Sequence, residues 1–256
     1  MNRPVTLRHL QDGHDLRASR QDNPDFAGTL ANGLMILRAF VRTPRPLVNS
    51  ELASRLKLPR PTVSRLCRTL LEMGYLDHDE RIDRYFIGPS AVALGHPYVV
   101  NTPLLAHAHA KMQAVADDVR GAVSVGVASD LDIIYIETCA WRTGTMARPA
   151  VGAMRAVAAT AMGRAWLSTL QSGERAAVLR RLRRERPDEM QHCAAGIEES
   201  LAKHLQRGFA VNFGDMGLGI HAVGVTSRVR YGTRTLLFNC AVPGTQLRRG
   251  DLVDRV

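Results

Sequence analysis

The stretch NSELASRLKLPRPTVSRLCR, from Asn49 to Arg68, determines the fold of the N-terminal part of this chain, because its pattern predicts two short helices joined by a tight turn. Ser50 is predicted to cap the first helix, since its hydroxyl can accept an unpaired amide of the opening turn. Pro59 ends that helix by pushing the preceding residue out of the α region. Pro61 suits the first turn of the next helix, where its missing N–H costs nothing. The stretch therefore predicts a helix-turn-helix.

The second helix of this pair has one apolar and one polar face. Apolar residues recur at the spacing that buries one side of a helix, namely Val63, Leu66, Cys67 and Leu70. The opposite side carries donor-rich side chains of the kind that bind base edges and phosphates. The candidate DNA-binding residues of the two helices are Ser50, Arg60, Thr62, Ser64, Arg65, Arg68 and Thr69.

Positive charge is concentrated in this motif. Arg42 to Arg68 holds seven basic residues and one acid, Glu51, whereas the net charge of all 256 residues is +10. A basic chain suits a polyanionic partner. Codon bias is the alternative source of the overall charge, because only three of the 34 basic residues are lysines. The clustering is therefore more informative than the total, although an ordinary helical hairpin with a solvated basic face would share it.

A predicted β-hairpin follows the second helix. Tyr75 to Asp77 and Tyr85 to Ile87 have the composition of short strands, and His78 to Arg84 would form the tip between them. A hairpin in this position is the wing of a winged helix. Arg81 and Arg84 could reach the DNA backbone or the minor groove, and a solvated loop is equally compatible with both. The wing favours DNA binding over the plain hairpin.

The segment before this motif is predicted to contain an arm and a helix. Residues 1–25 are polar and of mixed charge without a sustained period, which predicts a mobile arm. Residues 27–42 are predicted to form the first helix of a DNA-binding domain spanning residues 26–89. The apolar residues predicted to line the buried face of this helix are Leu30, Leu34, Leu37 and Val41.

Residues 90–118 are predicted to be a helical linker and dimerisation element. Gly95 and Pro97 are expected to break its first part, whereas residues 104–118 form a cleaner helix. The residues near one face of that helix are Leu104, Ala108, Met112 and Val115.

Residues 119–256 are predicted to form an α+β domain. Apolar residues begin to alternate at Ala122, which indicates strands. Strands are expected at residues 123–127, 133–137, 209–213, 222–226 and 235–241, and helices at 160–170, 174–186 and 197–207. Strands that flank a run of helices indicate an α+β arrangement. The arginine run from Arg180 to Arg184 is interpreted as a solvated helix face.

Neither a metal site nor a membrane span is predicted. Cys67, Cys139, Cys193 and Cys240 form no CxxC pair, so neither zinc nor a disulfide framework is indicated, which fits a reducing cytoplasm. His107 and His109 lie two residues apart on a helix and thus point to different sides, so a metal-binding pair is not expected. The sequence contains no run of 18 apolar residues.

Enzyme and cofactor motifs are incomplete. Ser124 lies in AVSVG, which approaches the GxSxG pattern, but the first glycine is missing and the serine belongs to an alternating strand. Gly217-Leu218-Gly219 lacks the third glycine and the parallel-strand context of a dinucleotide site. We therefore predict no catalytic residues and no cofactor.

The order of these parts resembles the IclR-type bacterial transcriptional regulators. In the N-terminal part the matching motifs are LANGLMILRAF (30–40), ELASRLKLPRPTVSRLCRTLLEMGYL (51–76) and RYFIGPSAVALG (84–95). In the C-terminal part they are VSVGVASDLDIIYIETC (123–139), ATAMGRAWL (159–167), RGFAVNFGDMGLGIHAVGV (207–225) and LLFNCAVPG (236–244). The resemblance runs from about Ala27 to the C-terminus.

This resemblance implies a GAF-like α/β effector-binding domain, assembly as homodimers or homotetramers, and regulation by small organic or aromatic acids. The effector-binding residues that it implies are Ala159, Thr160, Ala161, Met162, Asp215, Ile220, His221, Asn239 and Cys240. Amides at the helix start near Thr160 could hold a small anion. Thr160, Met162 and Cys240 could equally be core or turn residues, and Asp215 could simply cap its loop.

The chain departs from the family pattern at several positions. Ala156, Ala158 and Leu218 stand where the family often has proline, a polar side chain and proline, respectively. The sequence ends at Val256, about ten residues beyond the last expected strand, so the closing helix of the domain is expected to be truncated. These differences leave the identity of the effector open.

The residues and the resemblance together predict a cytoplasmic transcriptional regulator that binds double-stranded DNA at a palindromic operator, with RNA polymerase as a further candidate partner. Activator and repressor are equally compatible with the sequence. One alternative is an architectural or nucleoid DNA-binding protein with a vestigial effector domain. The other is a small-molecule hydrolase with a fused helical domain.

Overall fold

The computed structural model describes residues 25–143, 149–215, 219–232, 234–246 and 252–253. The predicted arm lies outside these residues except for Asp25, and so does most of the segment after residue 246, where the closing helix was expected to be truncated. The chain divides into two compact units between Tyr98 and Val99. Within the described residues, none of the helices combines the length and the apolar character needed to cross a bilayer.

The N-terminal unit is a winged helix-turn-helix. Its helices are α1 (Gly28–Arg42), α2 (Asn49–Leu56) and α3 (Arg60–Glu72), and its strands are β1 (Leu76–Asp79) and β2 (Arg84–Ile87). The strands pair antiparallel from Leu76 opposite Ile87 to Asp79 opposite Arg84. Leu47 adds an antiparallel bridge to Tyr85, which ties the segment before α2 to the wing.

The turn between α2 and α3 depends on local backbone chemistry. Lys57 adopts a left-handed conformation with φ of 52°, and this reversal ends α2. Pro61 lies in the first turn of α3, as predicted. The predicted cap is wrong: α2 begins two residues earlier than expected, its N-cap is Val48 instead of Ser50, and no side chain caps it. Ser50 therefore lies inside the first turn.

The apolar stripe of α3 faces the core of this unit. Val63, Leu66, Cys67 and Leu70 are all buried, which confirms the predicted orientation of the helix. Burial raises the pKa of the Cys67 thiol to about 12, so this thiol is neutral at physiological pH.

The predicted buried face of α1 is wrong. Leu30, Leu34 and Val41 are 64%, 51% and 48% exposed, and Leu37 is only partly buried. The core is formed by a neighbouring stripe of Ala31, Met35, Ile36, Ala39 and Phe40. Helix α1 is apolar on more than one side, so its periodicity could not decide which stripe packs against α2 and α3.

Two helices follow the wing. Helix α4 (Ser90–Val100) continues through Gly95 and Pro97, so the predicted break is wrong. Helix α5 (Pro103–Asp118) agrees with the expected segment. Of its four predicted face residues only Met112 is buried, and Leu105 and Ala116 provide the rest of the buried surface. The stripe is therefore rotated from the predicted one.

The C-terminal unit contains a six-stranded antiparallel sheet in the order β5-β4-β3-β8-β7-β6. The strands are β3 (Ala122–Ser129), β4 (Asp132–Ala140), β5 (Met154–Ala156), β6 (Ala210–Phe213), β7 (Ile220–Tyr231) and β8 (Arg234–Pro243). The helices are α6 (Ala161–Thr169), α7 (Ser172–Glu185) and α8 (Pro187–Arg207). The α+β prediction is confirmed, although β5 was not expected and α8 begins ten residues early.

The two faces of this sheet carry different helices. Val123, Val223 and Cys240 lie side by side on one face, which we call the α5 face because Met112 and Val115 of α5 border the same surface. Ser124, Gly224 and Asn239 pair across the other face, which we call the α6 face. A Cβ atom on Gly224 would lie 2.4 Å from the carbonyl carbon of Ala161, so the first turn of α6 rests directly on this strand.

Buried ion pairs join the turn between β3 and β4 to α7 and α8. Asp132 accepts two hydrogen bonds of 2.7 Å from Arg186, and Asp130 accepts one of 2.7 Å from Arg181. Burial opposes the charge on Arg186, but the bonds to Asp132 outweigh it and raise the pKa of Arg186. The interpretation of the arginine run as a solvated face is therefore wrong for Arg181.

Candidate functional site

The outer face of α3 presents three arginines. Arg60, Arg65 and Arg68 are exposed, on the side opposite the buried stripe of the helix. Among the residues that the structure describes, none of the three forms an ion pair. The guanidinium groups are therefore available to an anionic partner, and each offers several donors in a planar fork that matches phosphates and guanine edges.

The smaller polar residues of the motif are partly engaged within the protein. Ser64 is exposed, and its Oγ accepts a 2.9 Å hydrogen bond from Nδ2 of Asn49, which braces α3 against α2. Thr69 donates its hydroxyl to the carbonyl of Arg65 at 3.2 Å. Thr62 and Ser50 are partly buried. Ser64 keeps its own proton for a further hydrogen bond, whereas Thr69 has used its donor.

The wing places its two predicted arginines differently. The Arg81 side chain is 90% exposed at the tip and contacts Asp79 at 3.4 Å. Arg84 belongs to β2 rather than to the tip, and it donates to the carbonyl of Pro46 at 3.4 Å. The predicted position of Arg84 is therefore corrected, because the strand begins one residue earlier than expected. Arg81 is the wing residue that projects outward.

The only acid between Arg42 and Arg68 is neutralised locally. Arg45 donates two hydrogen bonds to Glu51, from Nη1 at 3.1 Å and from Nη2 at 3.2 Å. These bonds hold the pKa of Glu51 below its usual value. The Arg45–Glu51 pair has no net charge, so the arginines of α3 make the surface around them positively charged.

In the C-terminal unit, the start of α6 is held by Thr160. Its Oγ1 accepts a 2.9 Å hydrogen bond from the Gly163 amide and thereby caps the helix. The carbonyl of Ala159 accepts a 2.7 Å bond from Nδ2 of Asn212. Ala161 and Met162 are fully buried. Thr160 is thus a turn residue and Met162 a core residue, which is the structural alternative predicted for them. The N-terminus of α6 also carries the positive end of the helix dipole.

A polar cluster lies on the α6 face of the sheet. Asn239 stands opposite Ser124 on β3 and opposite Gly224 on β7, and Thr138 donates to Oγ of Ser124 at 3.1 Å. Asn239 is 8% exposed, and its Oδ1 has no hydrogen-bond partner within the part of the chain that the structure describes. An unpaired buried amide oxygen is costly, so it is a natural position for a donor from a ligand.

Asp215 has a buried partner, Arg164, that was not predicted from the sequence. Arg164 of α6 is 1% exposed, and its guanidinium donates to Asp215, to the carbonyl of Val211 at 2.8 Å and to the carbonyl of Ala158 at 3.3 Å. Asp215 is therefore neutralised by Arg164 instead of standing free in a pocket. An arginine within the apolar pattern of α6 is a sequence signal that could have indicated such a pair.

The predicted effector residues do not share one face. Side chains alternate along a strand, so Cys240 projects to the α5 face while its neighbour Asn239 projects to the α6 face. His221 stacks edge-on against Phe213 at 5.4 Å and lies on the α5 face, whereas Ile220 alternates to the other side. The prediction of a single pocket lined by all nine residues is therefore corrected.

Cys240 instead lines a cavity of about 290 Å³ on the α5 face. Its walls are mostly apolar, and they include Met112 and Lys111 of α5 together with Phe238 of β8. Asn239 borders this cavity too, although its pairing with Gly224 directs its side chain to the other face. Burial raises the pKa of the Cys240 thiol to about 12, so a neutral thiol faces the cavity.

A winged helix-turn-helix with an exposed basic helix, followed by a separate α/β unit, defines a DNA-binding transcriptional regulator. The IclR helix-turn-helix domain matches residues 29–80, and the C-terminal domain of the bacterial transcriptional regulator IclR matches residues 96–249. The chain belongs to the IclR family of bacterial transcriptional regulators, which confirms the resemblance and the fold class predicted from the sequence.

Proteins similar to this chain are regulators as well. The Pca regulon regulatory protein of Pseudomonas putida is 31% identical over 153 residues, or 58% of this chain and 50% of that protein, so the match spans half of its length. The regulator TsaQ1/TsaQ2 of Comamonas testosteroni is 29% identical over 86% of this chain and 79% of its own. An IclR family regulator from Brucella abortus, of known crystal structure, has a TM-score of 0.85 and 29% identity over 98% and 93% of the chains.

Proposed function

We propose that this chain is a ligand-responsive transcription factor in which α3 enters the major groove of an operator and the C-terminal unit binds a small organic or aromatic acid. The observation that carries the DNA-binding part is the exposure of Arg60, Arg65 and Arg68 opposite a fully packed apolar stripe. This arrangement holds a basic helix rigidly on the surface of its unit, as recognition helices require.

The proposed contacts divide into two kinds. Arg65 and Arg68, with Thr62 and Ser64, would reach base edges, because they lie along the outer side of α3. Arg60 at the helix start and Arg81 at the wing tip would contact phosphates. A two-fold homodimer would place two copies of α3 on a palindromic operator, about one helical turn apart or a multiple of it. The proposal also includes assembly of this chain as a homotetramer and contact of the regulator with RNA polymerase.

Replacing Arg65 with alanine should weaken operator binding by about 1–3 kcal/mol and relax specificity at one base pair of each half-site. The physical reason is the loss of a bidentate donor that discriminates guanine from the other bases. Genomic sites bound by the full chain should be mapped first. Binding to a panel of single-base operator variants is then measured for the wild type and for Arg65→Ala by fluorescence anisotropy.

Arg183→Ala is the matched control, because Arg183 is an exposed helical arginine of the C-terminal unit and its replacement removes the same charge. It should leave both affinity and ranking of the variants unchanged. If Arg65→Ala preserves the wild-type ranking, Arg65 does not contact a base. If the wild type itself shows no preferred sequence, the protein is an architectural DNA-binding protein instead.

The proposed effector site lies on the α6 face of the sheet. The unpaired Oδ1 of Asn239 lies on this face. It is close to the first turn of α6, because Asn239 pairs with Gly224 and that turn packs directly against Gly224. The helix dipole would attract a carboxylate, and Oδ1 would accept a hydroxyl or acid proton from the same ligand. An IclR homologue from Microbacterium hydrocarbonoxydans has been crystallised with 4-hydroxybenzoate, an acid that carries both groups.

Asn239→Ala should weaken binding of the effector by about 1–3 kcal/mol if that effector is an acid whose proton donor meets Oδ1, because the buried donor is then left without a partner. Cys240→Ala is the matched control, because it changes the neighbouring residue on the opposite face. Small carboxylic acids, beginning with 4-hydroxybenzoate, are titrated into the full chain by isothermal calorimetry. Operator affinity is then measured in the presence and absence of the acid that binds.

The reverse result would relocate the site. If Cys240→Ala abolishes binding and Asn239→Ala does not, the acid occupies the cavity on the α5 face beside Lys111. Because an effector acts only through unequal affinity for two arrangements of the protein, its addition must also shift operator affinity. An acid that binds without changing operator affinity is not the effector.

A further inference from the structure

Three potential metal ligands meet between α5 and β4. His109 lies on α5, whereas Glu137 and Cys139 lie on β4, where their pairing with Val125 and Val123 places both on the α5 face. One ligand atom from each residue lies within 4.8 Å of the other two. His109 lies far from the other two in the sequence, so neither a CxxC pair nor a histidine pair could reveal the cluster.

The two distances from His109 are close to those of a tetrahedral site, and all three ligand atoms lie within 4.8 Å of one another. His109 Nδ1 lies 3.6 Å from Cys139 Sγ and 3.9 Å from Glu137 Oε1. With Zn–S near 2.3 Å and Zn–N near 2.1 Å, a tetrahedral zinc ion separates its sulfur and nitrogen ligands by about 3.6 Å. The carboxylate would need to approach the imidazole by only about 0.5 Å, which is within the reach of a side-chain rotation.

The surroundings of the cluster also suit a metal ion. Cys139 is 2% exposed, which protects a thiolate from solvent, whereas the His109 side chain is 58% exposed and leaves an entry path. Oε1 of Glu137 accepts a 3.1 Å hydrogen bond from the Thr138 amide, which orients the carboxylate. Such supporting bonds are typical of metal-ligating carboxylates.

We propose that His109, Glu137 and Cys139 bind a single Zn²⁺ ion, with a water molecule as the fourth ligand. A nitrogen, oxygen and sulfur donor set suits this borderline-soft cation. On binding, the Cys139 thiol gives its proton to solvent and the thiolate coordinates the metal. The ion would cross-link α5 to β4 and so stabilise the C-terminal unit, independently of the effector site on the other face.

Cobalt(II) is the spectroscopic probe for this site. The full chain is stripped with a chelator and titrated with CoCl₂, and ZnCl₂ is then added in competition. We expect one Co²⁺ per chain, a thiolate-to-cobalt charge-transfer band in the near ultraviolet, and loss of that band on addition of Zn²⁺. His109→Ala and Cys139→Ala should abolish the band and weaken metal binding at least about 100-fold, since loss of an outer-shell partner alone costs 10–100-fold.

His107→Ala is the matched control, because His107 lies on the same helix and its Nδ1 contacts the Pro103 carbonyl at 2.8 Å, away from the cluster. It should bind Co²⁺ like the wild type. Since His109 is largely exposed, His109→Ala should fold even if Cys139→Ala does not. Added Zn²⁺ should raise the melting temperature of the wild type and not that of His109→Ala. A wild type without the charge-transfer band, or a His109→Ala variant with undiminished affinity, would overturn the site.

Discussion

Replacing Arg164 with alanine is expected to lower the free energy of unfolding of the C-terminal unit by about 3 kcal/mol, because it removes a fully buried guanidinium and leaves the partly buried carboxylate of Asp215 without its counterion. Arg164 is also the donor to the Ala158 and Val211 carbonyls, which join the segment before α6 to β6. A Cβ atom on Gly196 would lie 2.4 Å from Oδ2 of Asp215, so α8 covers this ion pair closely.

The measurement can be confined to one unit. The chain has two tryptophans, Trp141 and Trp166, and both lie in the unit that begins at Val99. Urea unfolding followed by tryptophan fluorescence therefore reports the C-terminal unit in the intact chain. Arg183→Ala, at an exposed position, should change the unfolding free energy by less than about 0.5 kcal/mol.

Two further variants separate charge from geometry. Arg164→Lys keeps the charge but loses the planar fork, so it should be intermediate in stability. Arg164→Met combined with Asp215→Leu should be more stable than Arg164→Met alone, because no unpaired charge then remains. A loss below about 1 kcal/mol for Arg164→Ala would show that this ion pair does not hold α6 to the sheet.

Operator binding is expected to weaken by about 10³- to 10⁵-fold between 50 and 200 mM salt, if a dimer neutralises about 6–10 phosphates. The reason is the release of counterions condensed on DNA when arginines replace them. The three exposed arginines of α3 and Arg81 at the wing tip supply enough charge per dimer to neutralise this number of phosphates. Affinity is measured at several salt concentrations, and log Kd is plotted against log salt.

Substitution of one arginine should change this slope by a defined amount. Arg60→Gln removes two charges per dimer, so the slope should fall by about 0.9 for each phosphate that is no longer neutralised. Arg183→Gln, with the same change of charge outside the DNA-binding unit, should leave the slope unaltered. Equal slopes for the wild type and a variant lacking Arg60, Arg68 and Arg81 would contradict the proposed interface.

Much of the N-terminal unit was predictable from local sequence. Pro59 and Pro61 mark the turn, and the apolar spacing from Val63 to Leu70 identifies the buried side of α3. The outer arginines follow from that assignment, because they occupy the remaining positions of the helix. The N-cap of α2 was not predictable, because it depends on where the preceding segment enters the helix. The buried side of α1 was not predictable either, because it depends on which side packs against α2 and α3.

The proposed effector site was predictable only as a set of segments. The resemblance indicated ATAMGRAWL and LLFNCAVPG, and the structure brings the first turn of α6 next to Asn239. The resemblance did not indicate that Cys240 and His221 project from the opposite face of the sheet. A strand must be placed in its sheet before its two sides can be distinguished.

The sequence by itself determined most of the order of helices and strands, although not β5, together with the prolines of the turn and the basic outer side of α3, because these depend on residues that are neighbours along the chain. Only the tertiary structure decided which apolar stripe of α1 is buried, that Arg164 neutralises Asp215, and that His109 meets Glu137 and Cys139. These contacts join residues about 28 to 51 positions apart. Their formation depends on strand register and helix packing, which local periodicity does not encode.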